Sequence, residues 1–414
     1  MTVKELPTSV QWPEHWRNVP LWAMFDRVKD VGHPDEEMLS VYRTHGVIQK
    51  SSRDDNTNQT AENRDIYQLV NHGWFIVNRM KAWQGSVGIS PLRGIVSGHY
   101  LCFRPNHQED ARFLNWLLRS TVYATEYARM SRGVRPGQIE IDNDELRGLR
   151  VALPPLDEQC RIADFLDTET ARIDDLVLLR TSQVATLSDA LHSEASRLTG
   201  RHQVCRDRLP SLRRMPLRRV VEDVQTGLTP TELLQPIGNP GVVPWYTPAA
   251  LKGMLELGAP EKGIQQEVAR SVPRFQAGSI LLVGIGESLG KVADLDHEAT
   301  GNQQLTAITT YDSIDRRFLA WQLAAAHEEI RAWAQYSRIR ILNNDNLKAF
   351  PVLVPSLADQ LAARKELDDR LAQLREFGSA AARFSSRAAE RRQALITAAV
   401  TGQIDVTTAR GVAT

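Results

Sequence analysis

The sequence predicts an α+β fold: two mixed α/β domains joined by two long antiparallel helices that form a coiled-coil rod, organised as a pseudo-twofold internal repeat. Three observations predict it. Short strings recur about 200 residues apart in the same order. Each half opens on β-rich runs broken by glycine, proline and asparagine. Each half closes on a long stretch of helical periodicity that starts just after proline.

The repeat is the firmest of the three. VPLWAMFDRV (19–28) has a counterpart in MPLRRVVEDV (215–224), and GWFIVNRM (73–80) in GSILLVGI (278–285). DARFLNWLLRS (110–120) returns as DRRFLAWQLAA (315–325), keeping Asp, Arg, Phe, Leu, Trp and Leu at the same spacing. ELRGLRVALPPLDEQ (145–159) returns as NLKAFPVLVPSLADQ (346–360), and LTG (198–200) as VTG (400–402). Loop insertions account for the small drift in offset, and five matches in one order mark a duplication. One mixed domain is expected at 1–152, the first long helix at 153–200, the second mixed domain at 201–353, and the second long helix with a C-terminal tail at 354–414.

Within each mixed domain, WFIVN and IVSGHYLCF, then SILLV and LTAITTY, have the β-branched and aromatic content of strands. The two DxRF strings head amphipathic helices. Pro154, Pro155 and Pro355 suit the start of the long helices, Asp157 and Asp359 suit their positive ends, and Gly200 and Gly402 suit their stops. The first long helix has two rows at alternating 4 and 3 spacing: Leu166, Ile173, Arg180, Leu187, Glu194, and Thr170, Val177, Val184, Leu191, Leu198. The second offers Leu367, Leu374, Ala381, Ala388 and Leu395 with Leu371, Phe377 and Phe384 alongside. Each helix would run ~65 Å at ~1.5 Å per residue, and helices that long need a partner. A generic helical hairpin or an intermolecular coil would also satisfy this need; the duplication favours pairing of the two with each other.

Composition narrows the function. Fifty basic residues balance fifty acidic ones, which argues against a generic polyanion binder but leaves room for local basic patches. Residues 151–200 are the most acidic stretch, 9 acidic to 4 basic, and suit protein contact better than nucleic acid. No run approaches the ~20 apolar residues of a membrane span, and the first residues lack the pattern of a signal peptide. Cys102, Cys160 and Cys205 have no metal-site spacing and fit free thiols in a reducing cytoplasm.

No catalytic motif completes itself. GIGESLGK (284–291) has Ile285 where a phosphate-binding loop needs glycine and Val292 where it needs serine or threonine; Leu289 breaks the dinucleotide fingerprint. NPGV (239–242) is half of an Asn-Pro-Pro-aromatic turn, HEEI (327–330) lacks a second histidine, and HPDEE (33–37) lacks a nuclease lysine. The sequence calls for no cofactor, no metal and no catalytic residue.

What remains are polar and basic clusters. In the first mixed domain they hold Arg43, Lys50, Ser52 and Arg53, then Lys81, Gln84 and Ser86, then Arg129, Arg132 and Arg135. In the second they hold Thr226, Thr229, Tyr246, Ser288, Lys291, Gln303, Arg338 and Arg340. Arginine and lysine suit phosphates and guanine edges, and asparagine and glutamine suit adenine edges, so these are candidate contacts to double-stranded DNA. Taken singly each could be a solvated loop residue. SRGVR and SRIR, however, precede the proline punctuation in both halves.

The strings LPPLDEQCRIADFLDTETARID (153–174), RRQALITAAVTGQIDV (391–406), PEHWRNVPL (13–21), NRMKAWQGSVGISPLRGIVSGHY (78–100) and TGLTP (226–230) with VPWYT (243–247) resemble the DNA-specificity subunit of type I restriction–modification systems over nearly the whole chain. The second copy departs, with Ser356 for the second proline and Ala358 before Asp-Gln. The resemblance implies two target recognition domains, each reading half of a split asymmetric site, on a helical rod that fixes the spacing. It implies docking of two methyltransferase subunits and of restriction subunits, and no chemistry on this chain. A scaffold that binds partners but no DNA is the alternative, and a nucleotide-binding protein acting through GIGESLGK a distant third.

Overall fold

The computed structural model describes residues 5–53, 64–133, 139–202, 212–231, 234–336 and 339–406. It divides into two compact units, Met1–Leu178 with Arg383–Thr414, and Leu179–Ala382.

The first unit is built on a four-stranded antiparallel sheet in the order Phe25–Val28, Tyr100–Pro105, Phe75–Asn78, Val87–Ile89. The central strand is apolar on both faces because both faces are covered. Phe75 and Val77 enter a core with Phe113, Leu114, Leu117 and Tyr123, whereas Ile76 points to a second cluster with Val41, Val47 and Cys102. The helices Ala111–Leu118 and Thr121–Arg129 cover the first face. Strand Arg17–Pro20 pairs antiparallel with Arg150–Leu153, so the chain arrives and leaves on neighbouring strands.

The second unit repeats this plan. Its sheet runs Val221–Thr226, Leu305–Thr310, Ser279–Val283, Val292–Leu295. Ile280 and Leu282 pack with Leu319, Trp321 and Leu323, and Leu281 and Val283 pack with Tyr246 and Phe275 on the other side. Helices Arg316–Ala325 and His327–Trp333 follow, and Arg213–Pro216 pairs with Pro351–Val354. The units differ in what they add: the first has the hairpin Leu39–Tyr42 with Gly46–Gln49, the second a further four-stranded sheet around Lys262–Gln265 and Val242–Tyr246.

The long helices are Leu156–Leu198 and Leu357–Val400. In the first unit Ile162, Ala163 and Leu166 share a core with Ile396, Ala399 and Val400, and Arg392 reaches Asp174 at 3.4 Å. In the second, Leu191 and Ala195 share a core with Leu367 and Leu371, and Arg370 reaches Glu194 at 3.3 Å. Rising numbers on one helix meet falling numbers on the other, so the segments are antiparallel in each unit. Both helices end on left-handed glycines, Gly200 (φ 76°) and Gly402 (φ 69°).

One row of the expected seam needs correction. Leu187 is 45 % exposed, Arg180 is exposed, and Ser188 and the buried Ala195 take the covered positions instead. The covered face steps from Val177 to Val184 and then continues through Ser188, Leu191, Ala195 and Leu198. An extra step of four residues lies in between, as a helix of 3.6 residues per turn requires when it does not supercoil to follow a seven-residue period. Phe384 likewise lies exposed, while Ala381 and Ala388 are buried.

The recurring proline-leucine-glutamine string has a defined task. Gln159 is fully buried; its Oε1 accepts from the Asp110 backbone N–H (3.0 Å) and its Nε2 donates to the Pro154 carbonyl (2.9 Å). Asp110 caps the next helix, accepting from the Phe113 N–H at 2.8 Å. Gln360 and Asp315 repeat the arrangement with the Asp315 N–H (2.9 Å), the Pro355 carbonyl (3.0 Å) and the Phe318 N–H (2.8 Å). A second tie follows a turn or two along. Trp116 donates to Asp167 at 2.9 Å, as does Trp321 to Asp368, and Arg112 and Arg317 pair with the same two carboxylates. Each mixed domain is thereby clamped to the first turns of a long helix. Ser356, the departure in the second copy, strengthens its helix start: its Oγ accepts from the Asp359 N–H and donates to the Asp359 carboxylate.

Candidate nucleic-acid interface

Two polar turns project from the ends of the central strands. In the first unit the turn after Phe75–Asn78 is shaped by Asn78, whose Oδ1 accepts from the N–H groups of Met80 (3.1 Å) and Lys81 (3.2 Å). Trp83 donates to the Met80 carbonyl, and Gly85, at φ 85°, closes the turn. Lys81 and Gln84 are exposed on it. Ser86 is not: it is buried just before the strand Val87–Ile89, which is buried along its whole length, and it leaves the contact set.

A small hairpin, Ser131–Arg132 with Glu140–Ile141, is fastened alongside. The Ile141 N–H donates to the Arg79 carbonyl at 3.1 Å, and Arg79 pairs with Glu140 at 2.7 Å. Arg132 is exposed on this hairpin and pairs with Glu145; Arg129 pairs with Glu126 at 2.8 Å. Arg135, from the same cluster, lies outside the described residues. In the 43–53 segment Arg43 is exposed, Arg53 lies over the Tyr42 ring at 5.0 Å, Ser52 donates to the Gln49 carbonyl, and Lys50 is half-buried.

The second unit carries the same pair of features. The turn Gly284–Lys291 meets the hairpin Gln335–Tyr336 with Arg340–Ile341 through Gly286 N–H to the Arg340 carbonyl (3.2 Å) and Leu342 N–H to the Gly284 carbonyl (2.8 Å). Arg331 donates to the Glu287 carbonyl at 2.6 Å, and Arg340 to that of Arg331 at 2.9 Å. Lys291 is exposed and Ser288 half-buried. Arg338 lies outside the described residues. GIGESLGK is thus a strand-to-strand turn rather than a strand-to-helix loop, so it lacks the helix N-terminus that a phosphate-binding loop uses.

Beside this turn, Thr229 donates to Gln303 at 2.6 Å, and Thr226 to Asn344 at 2.9 Å. Tyr246 falls elsewhere. Its ring is buried with Phe275, its hydroxyl meets His297 Nε2 at 3.0 Å, and burial raises its pKa. Val242–Tyr246 pairs with both Lys262–Gln265 and Thr300–Gly301, and that central position puts Tyr246 in the interior. It also leaves the contact set.

Sequence reasoning missed Arg119 and Arg392. Arg119 stands in the repeated DxRF helix region, where the second copy has Ala324, and that mismatch is the signal that could have found it. It also did not assign Asp167 and Asp368. These stand at the same distance beyond Gln159 and Gln360 respectively, a match that gains meaning only once the tryptophans are known to reach them. Among the described residues, no helix is long and apolar enough to cross a membrane, and no three His, Cys, Asp or Glu side chains are grouped as metal ligands.

Fold and surface together define a duplicated protein that presents one polar double-hairpin edge per unit. A family model described as the type I restriction modification DNA specificity domain matches residues 37–177 and again 220–374. The chain belongs to that family, the specificity subunits of type I restriction–modification systems. Solved structures share the fold. One, reported under the structural basis of complex assembly and conformational transition of the type I R-M system, is 17 % identical with TM-score 0.72 and covers 95 % of this chain and 100 % of its own. The HsdS subunit from Thermoanaerobacter tengcongensis is 17 % identical with TM-score 0.53, covering 96 % and 99 %.

Proposed function

We propose that this chain reads a split, asymmetric DNA sequence for a restriction–modification complex, one half-site per unit, and supplies no catalytic group itself. One observation carries the reading. The strand pairs Ser131–Arg132 with Glu140–Ile141, and Gln335–Tyr336 with Arg340–Ile341, are each hydrogen-bonded to a polar turn at the end of the central strand, so both units offer the same two-part edge with different side chains. Different side chains on equal frames are what an asymmetric target requires. Lys81, Gln84, Arg129 and Arg132 in the first unit, with Ser288, Lys291, Gln303, Thr229 and Arg340 in the second, are the described candidates for groove and phosphate contact. Arg43, Lys50, Ser52, Arg53 and Thr226 flank them.

The long helices supply a fixed spacing, since half-sites facing the same side of a duplex lie about one turn, ~34 Å, apart. Methyltransferase subunits, and restriction subunits in the full assembly, dock on the chain and act on the DNA it selects. The overall charge balance suits this division, because the partners can share the phosphate contacts. The test is binding of a duplex by the chain purified with its methyltransferase subunits. Arg132→Ala and Lys291→Ala should each weaken binding of the target, and a four-residue insertion in both long helices, ~6 Å, should change the preferred spacer by one or two base pairs without altering either half-site. A scaffold would add no sequence preference to its partners, and that result would overturn the reading.

A further inference from the structure

Each unit has a groove between its polar turn and its stretch of long helix, and both grooves are cationic. In the first unit Arg43, Gln84, Arg119, Thr121, Arg392 and Gln393 line it. In the second the charged lining is Lys252, Lys291 and Arg375 against one carboxylate, Glu256, with His192 and His327 beside them. The repeat makes the two grooves counterparts. Gly85 and Gly290, both left-handed, form one wall of each; Arg119 and Ala324 occupy the same position of the DxRF helix region; and Arg392 corresponds to the stretch between Ser188 and His192. The side chains differ while the sign of the charge is kept.

The first groove shows how that charge is held. Arg119 Nη2 donates to the carbonyls of Arg43 (3.1 Å) and Thr44 (2.9 Å), which fix the guanidinium without neutralising it. The guanidinium lies against Gly46, whose φ is 71°, and a Cβ there would meet Nη1 at 3.0 Å. Among the described residues no carboxylate pairs with Arg119, and its buried Nε has no hydrogen-bond partner. The nearby charge that acts on it is another cation, Arg392, which rests over the Trp116 ring at 5.7 Å and pairs with the largely exposed Asp174 at 3.4 Å. Burial, with Arg392 adding to it, lowers the Arg119 pKa to about 10. The guanidinium therefore stays charged at neutral pH against an unfavourable environment, which an incoming anion would relieve.

We propose that each groove seats a backbone phosphate of the bound duplex: Arg43, Arg119 and Arg392 hold it in the first unit, and Lys252, Lys291 and Arg375 in the second. This rests on the DNA-reading function proposed above. A polyanionic backbone fits better than an acidic protein segment because each groove is continuous with a candidate base-reading turn, through Gln84 in one unit and Lys291 in the other. A strand read at the turn passes directly over the cations.

The experiment measures the affinity of the chain with its methyltransferase subunits for the target duplex and for an unrelated duplex of equal length, across a salt series. Arg392→Gln leaves the Arg119–carbonyl contacts in place and so tests the groove without loosening the loop. Arg119→Gln and Arg375→Gln are compared with it. Each is expected to weaken both duplexes by the same factor, about fivefold near physiological salt, and to lower the slope of log K against log salt by about 0.9. A wild-type slope retained by Arg392→Gln and Arg375→Gln, with target binding intact, overturns the phosphate seats and leaves the DNA-reading function standing. Loss of a methyltransferase subunit from the purified complex, with the slope unchanged, overturns them in favour of a protein ligand. Absence of any sequence-preferring binding by the wild-type complex overturns both readings together.

Discussion

In the first unit Trp116 and Arg112 grip Asp167, and in the second Trp321 and Arg317 grip Asp368, with the indole hydrogen bond at 2.9 Å in both. Where the first unit has Arg119, the second has Ala324, and where the first turn offers Lys81 and Gln84, the second offers Ser288 and Lys291. The clamp to the long helix is the same twice; the polar edge is not. A buried glutamine with both amide atoms engaged tolerates little change, because loss of either partner strands a polar group in the interior. An exposed turn that is tied down by its own backbone hydrogen bonds can change its side chains freely. Duplication has kept what is expensive to alter and varied what is not.

That contrast can be broken most sharply at the tryptophans. Trp321 is fully buried and Trp116 half-buried. Trp321→Ala should cost about 3–5 kcal/mol and Trp116→Ala less, measured by chemical denaturation with hydrogen exchange used to assign the loss to one unit. Equal effects would mean that the two clamps are energetically alike despite their burial. Next come the glutamines: Gln159→Leu and Gln360→Leu should each destabilise by about 1–3 kcal/mol, by leaving the Asp110 or Asp315 N–H unpaired. A neutral result at either would show that the string is a relic rather than a clamp. Lys81→Ala and Lys291→Ala should change stability by no more than about 0.5 kcal/mol while reducing DNA binding, which would separate edge from frame.

The smallest effect concerns a thiol. Burial pushes the Cys102 pKa up to about 12, against 9.0 when exposed. It should resist alkylation at neutral pH until the first unit unfolds. Because the folded form holds its proton more tightly, the stabilisation is complete below the exposed thiol's pKa of 9.0 and declines as pH rises from there towards about 12. Mass spectrometry of alkylated protein over a pH series checks both statements.

Much of this frame is legible in the sequence, and the reason is periodicity. The DxRF helices, the strands around Phe75 and Ile280, and the glycine stops follow from local patterns that the duplication states twice. Periodicity identifies the first long helix but misplaces one row of its seam, since Leu187 obeys a seven-residue period that the helix itself does not keep. Of the candidate contacts, Ser86 and Tyr246 are buried, which residue type alone does not reveal. Arg119 shows in the sequence only as a mismatch with Ala324, because its setting comes from Gly46, far earlier in the chain, and from an arginine on the returning helix.

The pairing of Arg17–Pro20 with Arg150–Leu153, and of Arg213–Pro216 with Pro351–Val354, has a consequence for how such a molecule can change. Each mixed domain begins and ends on two adjacent antiparallel strands, with Arg17 opposite Leu153 and Arg213 opposite Val354. Its inlet and outlet lie side by side, like the two pins of a plug. A segment cut at those strands can be exchanged for another that carries the same clamp residues without re-routing the remaining chain, so a different polar edge could be acquired in a single recombination event while the long helices stay as they are.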